Sequence, residues 1–393
     1  MGHRTDGVGA WLVLLAAACA FLPACRTAVP QKPPAGPPAQ QPIGKLEPFA
    51  SLSRYMPTGV AVSPGGRVFV CFPRWEDGML YTVAEVQADS SVTLYPDLAF
   101  NQPDPDQPRR SLYSVQSVVV DARGRLWVLD TGRIRMGPPA RDAAKLLAFD
   151  LQTNQLVQTV VIPEAAMTPE SYLNDVRFDL PKDGAGYAYI TDSGRGAILV
   201  VDLASGKVTR RLEQHPSTQP AEILPIIEGR ALYQQPTPGA ERKPLAVAAD
   251  GIALSPDGGT LYYCPLSSRR LYSVPTAKLR DATLSEADLA CEVKDLGPKP
   301  VVDGMAMDDK GRLYMGALEH NAIMRRLPDG SIETLVQDGR LLWPDSLAVG
   351  PDGWLYVMAN QLDRQPQFHA GRDERQRPFT IFRTQMDPAG AAR

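Results

Sequence analysis

The sequence predicts an all-β protein, a six-bladed β-propeller. A phrase of strand, tight turn and strand recurs six times, and the turn glycines of successive copies are 42 to 72 residues apart. The chain is also rich in Gly (32) and Pro (37), residues that tight turns need. This spacing is typical of a four-stranded propeller blade rather than of a short solenoid repeat.

Each copy of the phrase joins two apolar runs through an Asp/Pro/Gly turn, which predicts a β-hairpin. The six predicted hairpins are Gly59–Cys71, Ser117–Leu129, Asp175–Thr191, Gly251–Tyr263, Gly304–Met315 and Ser346–Val357. Strands further out in the blades are predicted at Leu80–Val86, Lys145–Asp150, Ala197–Asp202, Arg270–Pro275, Ala322–Leu327 and Thr380–Thr384. Ser285–Cys291 is the one segment where a helix longer than a turn or two is considered.

The ends of the ring are predicted to meet, because an open ring would leave an unpaired strand edge. Glu47–Ser53 is expected to pair beside Thr380–Thr384 in the last blade. The propeller is predicted over residues 45–386, with a disordered tail at 387–393.

The N-terminal segment predicts export. An apolar run from Val8 to Leu22 follows His3 and Arg4, which is typical of a signal peptide. Cleavage could follow the small-x-small sequence at residues 18–20. The alternative is a lipobox at residues 22–25, which predicts a signal peptide over 1–24 and acylation of Cys25.

A Pro-rich tether over 25–44 would follow the acylated cysteine, since this segment can bury almost nothing. We therefore expect a secreted or periplasmic protein, held at the bacterial outer membrane if Cys25 is acylated. That lipid would be its only contact with a membrane.

Three cysteines remain after such processing. An oxidising compartment allows one disulfide, and Cys264 with Cys291 is the favoured pair because both lie in one predicted blade. In the alternative interpretation, Cys71, Cys264 and Cys291 are all small buried apolar residues on strands.

Charge and motifs exclude several functions. Lys and Arg number 41 and Asp and Glu 44, a net charge of −3, and no basic cluster with interleaved aromatic residues suggests nucleic acid. No sequence typical of a serine-hydrolase elbow, a phosphate-binding loop or a dinucleotide fold occurs. We expect a monomer that binds a small molecule.

Strand polarity predicts where that molecule binds. Residues just before each first strand and just after each second strand must lie on one face of the ring, around the mouth of its central channel. The candidate ligand residues on that face are Asn174, Asp175, Asp250, Asp303, Asp345, His320 and Trp343. His320 is the histidine considered as a proton carrier, and Trp343 is considered as a pocket wall.

The acidic residues admit three interpretations. They could cap backbone N–H groups where the blades converge, bind an organic ligand, or bind a cation. If two of the carboxylates approach each other, like-charge repulsion must raise a pKa or recruit a cation.

Several blade segments resemble the yellow / major royal jelly protein family. They are Ser114–Asp121 with Gly124–Gly132, Leu173–Val176 with Ala188–Gly194, Gly251–Pro256 with Pro265–Arg269 and Tyr272–Thr276, and Leu342–Leu347 with Ala359–Leu362. The resemblance extends from about residue 50 to 385 and implies an exported six-bladed propeller. Members of this family include dopachrome-converting-enzyme-related proteins, small-amine binders and nutritive proteins, so it does not imply one activity.

A second resemblance is to metal-dependent gluconolactonase-type (SMP-30-like) propellers, which hold one divalent cation at the channel mouth. It implies Asn174, Asp250 and Asp303 as metal ligands, and oxygen ligands suit Ca²⁺ or Mg²⁺. Met56–Gly59 stands where those proteins have a ligand Glu. The sequence thus favours a small-molecule-binding propeller, with a lactonase-like hydrolase or a dopachrome-type isomerase that uses the channel-mouth carboxylates as the alternative.

Overall fold

A computed structural model describes residues 41–388. The predicted signal peptide, the predicted acylation of Cys25 and most of the predicted tether lie outside the described residues. No helix within residues 41–388 is long and apolar enough to cross a membrane.

The described chain forms six antiparallel sheets of four strands each, the blades of the propeller. The first strands of blades 1 to 6 are Gly59–Val62, Val115–Val120, Leu173–Asp179, Ala249–Leu254, Val302–Met307 and Pro344–Val349. The second strands are Val68–Cys71, Arg125–Asp130, Tyr187–Asp192, Thr260–Pro265, Leu313–Ala317 and Trp354–Ala359. The third strands are Val83–Val86, Lys145–Asp150, Ala197–Asp202, Arg270–Pro275, Ala322–Arg326 and Phe379–Gln385. The outer strands are Val92–Leu94, Leu156–Val161, Val208–Arg211, Lys294–Pro298, Ile332–Gln337 and, in blade 6, Glu47–Leu52.

The six blades close into a ring. Each first strand contacts the first strand of the next blade, and the strand of blade 6 contacts that of blade 1. Between every two neighbouring blades lies one cluster of buried apolar side chains, so the core is divided into six wedges. The predicted six-bladed propeller is confirmed, and none of its six hairpins contains a helix.

Ring closure follows the predicted route. Glu47–Leu52 pairs antiparallel with Phe379–Gln385 and becomes the outer strand of blade 6. Residues next to both ends of the ring also contact it. Gly44 donates its N–H to the Leu335 carbonyl (2.7 Å), and Asp387 forms ion pairs with Lys310 and Arg312.

Two short helices lie between the third and outer strands of blade 4, at Thr276–Arg280 and Glu286–Glu292. Ser285 begins the second one, since its Oγ accepts the N–H of Asp288. Two small hairpins, whose strands have two residues each, lie between blades 3 and 4. They pair Ile226–Ile227 with Arg230–Ala231 and Tyr233–Gln234 with Lys243–Pro244. The 3-10 turns are Ile134–Met136, Glu164–Ala166, Leu318–His320, Leu362–Arg364 and Pro366–Phe368.

The predicted Cys264–Cys291 disulfide was wrong. Cys264 is a free, fully buried thiol on the second strand of blade 4, facing the wedge between blades 4 and 5. Cys291 is exposed on the helix Glu286–Glu292, which precedes the outer strand. Cys264 thus belongs to the core between two blades, whereas Cys291 lies on the surface. Cys71 is also a free, buried thiol on a strand.

Candidate ligand site at the channel mouth

The first strand of each of blades 2 to 6 carries one extra residue near its start. The pairing with the second strand shifts register at these points. A bulge of this kind bends the strand locally and re-aims a side chain. The side chains placed at the channel mouth in this way are Gln116, Asn174, Asp250, Asp303 and Asp345.

Glycine follows two of the aspartates because the inner strands nearly touch there. A Cβ on Gly251 would lie 2.6 Å from the carbonyl oxygen of Asp303. On Gly304 it would lie still closer to the carbonyl oxygen of Asp345. Only glycine permits so close a backbone approach, so the Asp-Gly pairs hold three successive aspartates side by side.

The three carboxyl groups are buried, with Asp250 4%, Asp303 8% and Asp345 7% exposed. The Nε1–H of Trp343 donates to Oδ2 of Asp303 (2.6 Å), and the side-chain amide of Asn360 donates to Oδ2 of Asp345. Asp250 hydrogen-bonds to the Asp303 carboxylate. We call Asp250, Asp303 and Asp345 the carboxyl trio.

The trio cannot be fully ionised at neutral pH. Burial raises the pKa of Asp303 to about 6, even though the hydrogen bonds from Trp343 and Asp250 oppose the shift. Burial, followed by the charge of Asp303, raises the pKa of both Asp250 and Asp345 well above the usual range. The trio therefore retains protons that exposed aspartates would have lost. The protonated carboxyl group of Asp250 donates its hydrogen bond to Asp303.

Backbone capping, one of the three interpretations, is not what the trio does. None of its carboxylates accepts a hydrogen bond from a backbone N–H within residues 41–388. That task falls to two aspartates that end second strands. Asp130 accepts the N–H groups of Tyr113 (2.7 Å) and Ser114 (2.8 Å), and Asp192 accepts that of Tyr172 (2.8 Å).

Above the trio lies a cavity of about 950 Å³, within the range of sites for small organic molecules. Its walls include the apolar and aromatic side chains of Trp75, Tyr172, Leu245, Leu266, Trp343 and Phe368. Below the trio the channel narrows to a space of about 20 Å³, room for about one water. The site therefore combines an acidic floor with walls that contain both apolar and charged side chains.

Arg177 crosses the channel below that narrow space. Its guanidinium pairs with Asp175 (2.9 Å) in blade 3 and donates to the carbonyl of Met305 (2.6 Å) in blade 5. Residues below this point line a separate cavity of about 520 Å³. The 950 Å³ cavity is thus approached from the face where the inner strands begin.

Five of the seven candidate ligand residues line the 950 Å³ cavity, namely Asn174, Asp250, Asp303, Asp345 and Trp343. Asp175 lines the narrow space beneath it, where it accepts from Ser117 (2.6 Å). The structure does not bring His320 to this cavity. His320 is exposed at the end of the 3-10 turn Leu318–His320, where Leu318 is the residue that turns inward.

Several residues of the site lie outside the seven candidates. Trp75 donates to the Tyr172 hydroxyl (2.9 Å), which in turn donates to Oε1 of Gln116 (2.8 Å). Gln116 could have been found, because it stands eight residues before its turn glycine, as the three aspartates do. Arg133, on the loop between the second and third strands of blade 2, carried no such signal.

Two insertions meet above the cavity. One contains the small hairpins between blades 3 and 4, and the other contains the 3-10 turns of blade 6. Arg364 forms an ion pair with Glu228, and the Gln235 N–H donates to the Gln367 carbonyl (2.6 Å). These contacts and the apolar cluster around Trp343 and Phe368 fix the upper wall.

The fit to a divalent cation is poor. Residues 41–388 contain no group of three or more His, Cys, Asp or Glu side chains arranged to hold a metal ion. Asp303, the position that resembles the lactonase pattern outright, directs one oxygen at an indole N–H. The methionine that stands where those propellers have glutamate, Met56, offers no oxygen ligand.

Comparison with known proteins adds a family. The family model described as "Major royal jelly protein" matches residues 113–391. Protein yellow of Drosophila erecta is 28% identical over 275 residues, which cover 66% of this chain and 49% of that protein. Protein yellow of Drosophila madeirensis is 28% identical over 326 residues, covering 77% of this chain and 55% of that protein. The chain thus spans about half the length of these relatives.

Solved structures share the fold at low sequence identity. A gluconolactonase from Xanthomonas campestris matches with a TM-score of 0.50 and 12% identity over 87% of this chain and 89% of that one. A luciferin-regenerating enzyme matches with a TM-score of 0.50 and 14% identity over 87% and 95%. At such identities the likeness concerns the fold alone.

Proposed function

The chain belongs to the major royal jelly protein family, and from this premise we propose that its ring binds a small organic molecule at the channel mouth. The ligand carries a basic nitrogen, which meets the carboxyl trio. An apolar or aromatic body fills the space between Trp75, Trp343 and Phe368.

One observation carries the proposal, the raised pKa values of three buried carboxyl groups on the floor of an apolar cavity. Keeping the trio partly protonated costs free energy at neutral pH. An ammonium group would remove that cost, since it stabilises the ionised carboxylates and donates hydrogen bonds to them. The cavity therefore favours a cation over a neutral molecule of the same shape.

The test is isothermal titration calorimetry with phenethylamine and its neutral isostere 2-phenylethanol at pH 7.5. We expect the amine to bind at least about tenfold more tightly, as a charge-assisted hydrogen bond implies. Asp303→Asn should remove this preference, whereas Asp106→Asn, on an exposed loop, should keep it. Equal affinity for the two compounds, or binding of neither, would contradict the proposal.

A divalent cation held by Asn174, Asp250 and Asp303 is the competing occupant of the floor, and the same protein preparation distinguishes it. Calcium that raises the melting temperature, an effect reversed by a chelator and lost in Asp303→Ala, would favour the cation. We expect no such effect, because the hydrogen bonds from Trp343 and Asp250 already occupy Asp303.

Catalysis is a second candidate, favoured by the pKa of about 6 at Asp303. A carboxyl group that titrates near neutral pH, with Asp250 as its hydrogen-bond partner, can accept and return a proton. A lactonase-like hydrolase or a dopachrome-type isomerase would use it in this way. Turnover of a lactone or of dopachrome that rises with pH around 6 and is lost in Asp303→Asn would support this candidate.

A further inference from the structure

Arg133 is a buried cation that faces the ligand cavity without a counter-charge. Its side chain lines the 950 Å³ cavity, and the residue is only 7% exposed. No carboxylate within residues 41–388 lies at ion-pair distance from its guanidinium. The exposed Glu170 and the buried Asp192, which pairs with Arg210, act on it only at longer range.

The guanidinium is held in a fixed orientation. Nη1 donates to the carbonyl of Gly137 (2.9 Å) and Nη2 to that of Pro169 (2.9 Å), so the loop between the second and third strands of blade 2 and the segment before blade 3 hold it from two sides. These bonds use two of its five N–H donors, and the other three have no partner among the described residues. A buried cation left unpaired in this way is costly.

Arg375 gives a matched contrast in the same cavity. It also lines the wall, with its side chain 6% exposed, but it forms ion pairs with Glu76 (2.7 Å) and Asp373 (2.7 Å). The charge of Arg375 is therefore neutralised within the protein, whereas that of Arg133 is available to a ligand.

Arg133 and the carboxyl trio give one cavity two poles of opposite charge. The Tyr172 hydroxyl, hydrogen-bonded to Gln116 on the floor, lines the same cavity as Arg133 and the trio. A small molecule in this cavity can therefore face both poles. A ligand with only a basic nitrogen would leave Arg133 unpaired.

We propose that Arg133 binds a carboxylate of the ligand, so that the site takes amphoteric molecules whose basic nitrogen and carboxylate are separated by an apolar body. This inference rests on the proposed amine site and narrows its ligand class. Arginine suits the task, because its planar fork matches a carboxylate with two parallel hydrogen bonds.

The experiment compares two ligands that differ in one charge, 4-(2-aminoethyl)benzoate and 4-(2-aminoethyl)benzamide, by calorimetry on the full chain. We expect the benzoate to bind about tenfold or more tightly than the benzamide, the gain of a charge-assisted pair. Arg133→Met should reduce that ratio to about one, and Arg133→Lys should restore part of it. Arg141→Met, which replaces an exposed arginine outside the cavity lining, should leave it unchanged.

The outcomes separate the two proposals. Equal binding of benzoate and benzamide by the wild type, with phenethylamine still bound, overturns the role of Arg133 and leaves the amine site standing. A benzoate preference that survives in Arg133→Met also overturns it. Failure of all three amines to bind the wild type rejects the amine site itself. Because the benzoate and the benzamide are compared on the wild-type protein, the role of Arg133 can be tested even if the variants fold poorly.

Discussion

Asp250, Asp303 and Asp345 occupy equivalent positions in three successive blades, yet each meets a different partner. Asp303 accepts from an indole, Asp345 from an amide, and Asp250 shares its proton with Asp303. The position of each aspartate could be predicted from the repeat, because it depends only on the distance to the turn glycine. The protonation states could not, because they depend on the burial and the hydrogen-bond partner of each side chain, which differ from blade to blade.

Asp250→Asn should stabilise the protein at neutral pH. The folded-state pKa of Asp250 lies above its unfolded value. Its contribution to stability is thus fully present below about pH 4 and is lost as the pH rises towards the folded pKa. Asparagine stays neutral and can donate to Asp303. We expect urea unfolding to show a gain of about 1 to 3 kcal/mol at pH 7.5 that disappears near pH 4.

The control for that measurement is Asp106→Asn, which replaces an exposed carboxylate and should change the free energy of unfolding little at either pH. A loss of stability in Asp250→Asn at pH 7.5, or the same gain at both pH values, would mean that folding does not raise the pKa of the Asp250 carboxyl group. The stabilised variant should also bind phenethylamine less tightly, since one carboxylate is lost.

At the scale of the element, the bulge at the start of the first strands of blades 2 to 6 turns a side chain of each strand towards the site. Alternation of apolar residues predicted the strands and hairpins, because pleating is a local property of the chain. The bulges escaped prediction, since they become visible only when the register against the second strand is known. In the sequence, two of these bulges are marked by an Asp-Gly pair, at Asp250-Gly251 and Asp303-Gly304.

Gly304→Ala tests that account of the bulge. A Cβ there would collide with the carbonyl oxygen of Asp345, a backbone atom that can move only with its strand. We expect unfolding by denaturant to show a loss of about 1 to 3 kcal/mol, as overpacking costs, together with weaker binding of phenethylamine. Gly339→Ala, where a Cβ would meet nothing, should stay within about 0.5 kcal/mol of the wild type. If Gly304→Ala matched that control, close packing of the inner strands would not explain the site.

At the scale of the whole molecule, the ring and the cavity differ in how far the sequence predicts them. Six hairpins at a blade-like spacing suffice for the ring, and closure by Glu47–Leu52 follows because an open edge is unstable. Part of the cavity wall comes from insertions that occur once each, such as the hairpin Tyr233–Gln234 with Lys243–Pro244 and the 3-10 turn Pro366–Phe368. Because the segments that carry Arg133 and Phe368 have no counterpart in the repeat, neither residue could be assigned to the site from the sequence.

Within the described ring, the carboxyl trio forms the floor of the 950 Å³ cavity, and its raised pKa values leave it partly protonated at neutral pH. The most direct test is the number of protons released when phenethylamine binds, measured by calorimetry in buffers of different ionisation enthalpy from pH 5.5 to 8. Binding a cation should ionise the trio, so we predict release of roughly half a proton or more per ligand near neutral pH, from the linkage between binding and pKa. The neutral isostere 2-phenylethanol should release none. Amine binding with no proton release anywhere in this pH range, or with proton uptake, would contradict the account.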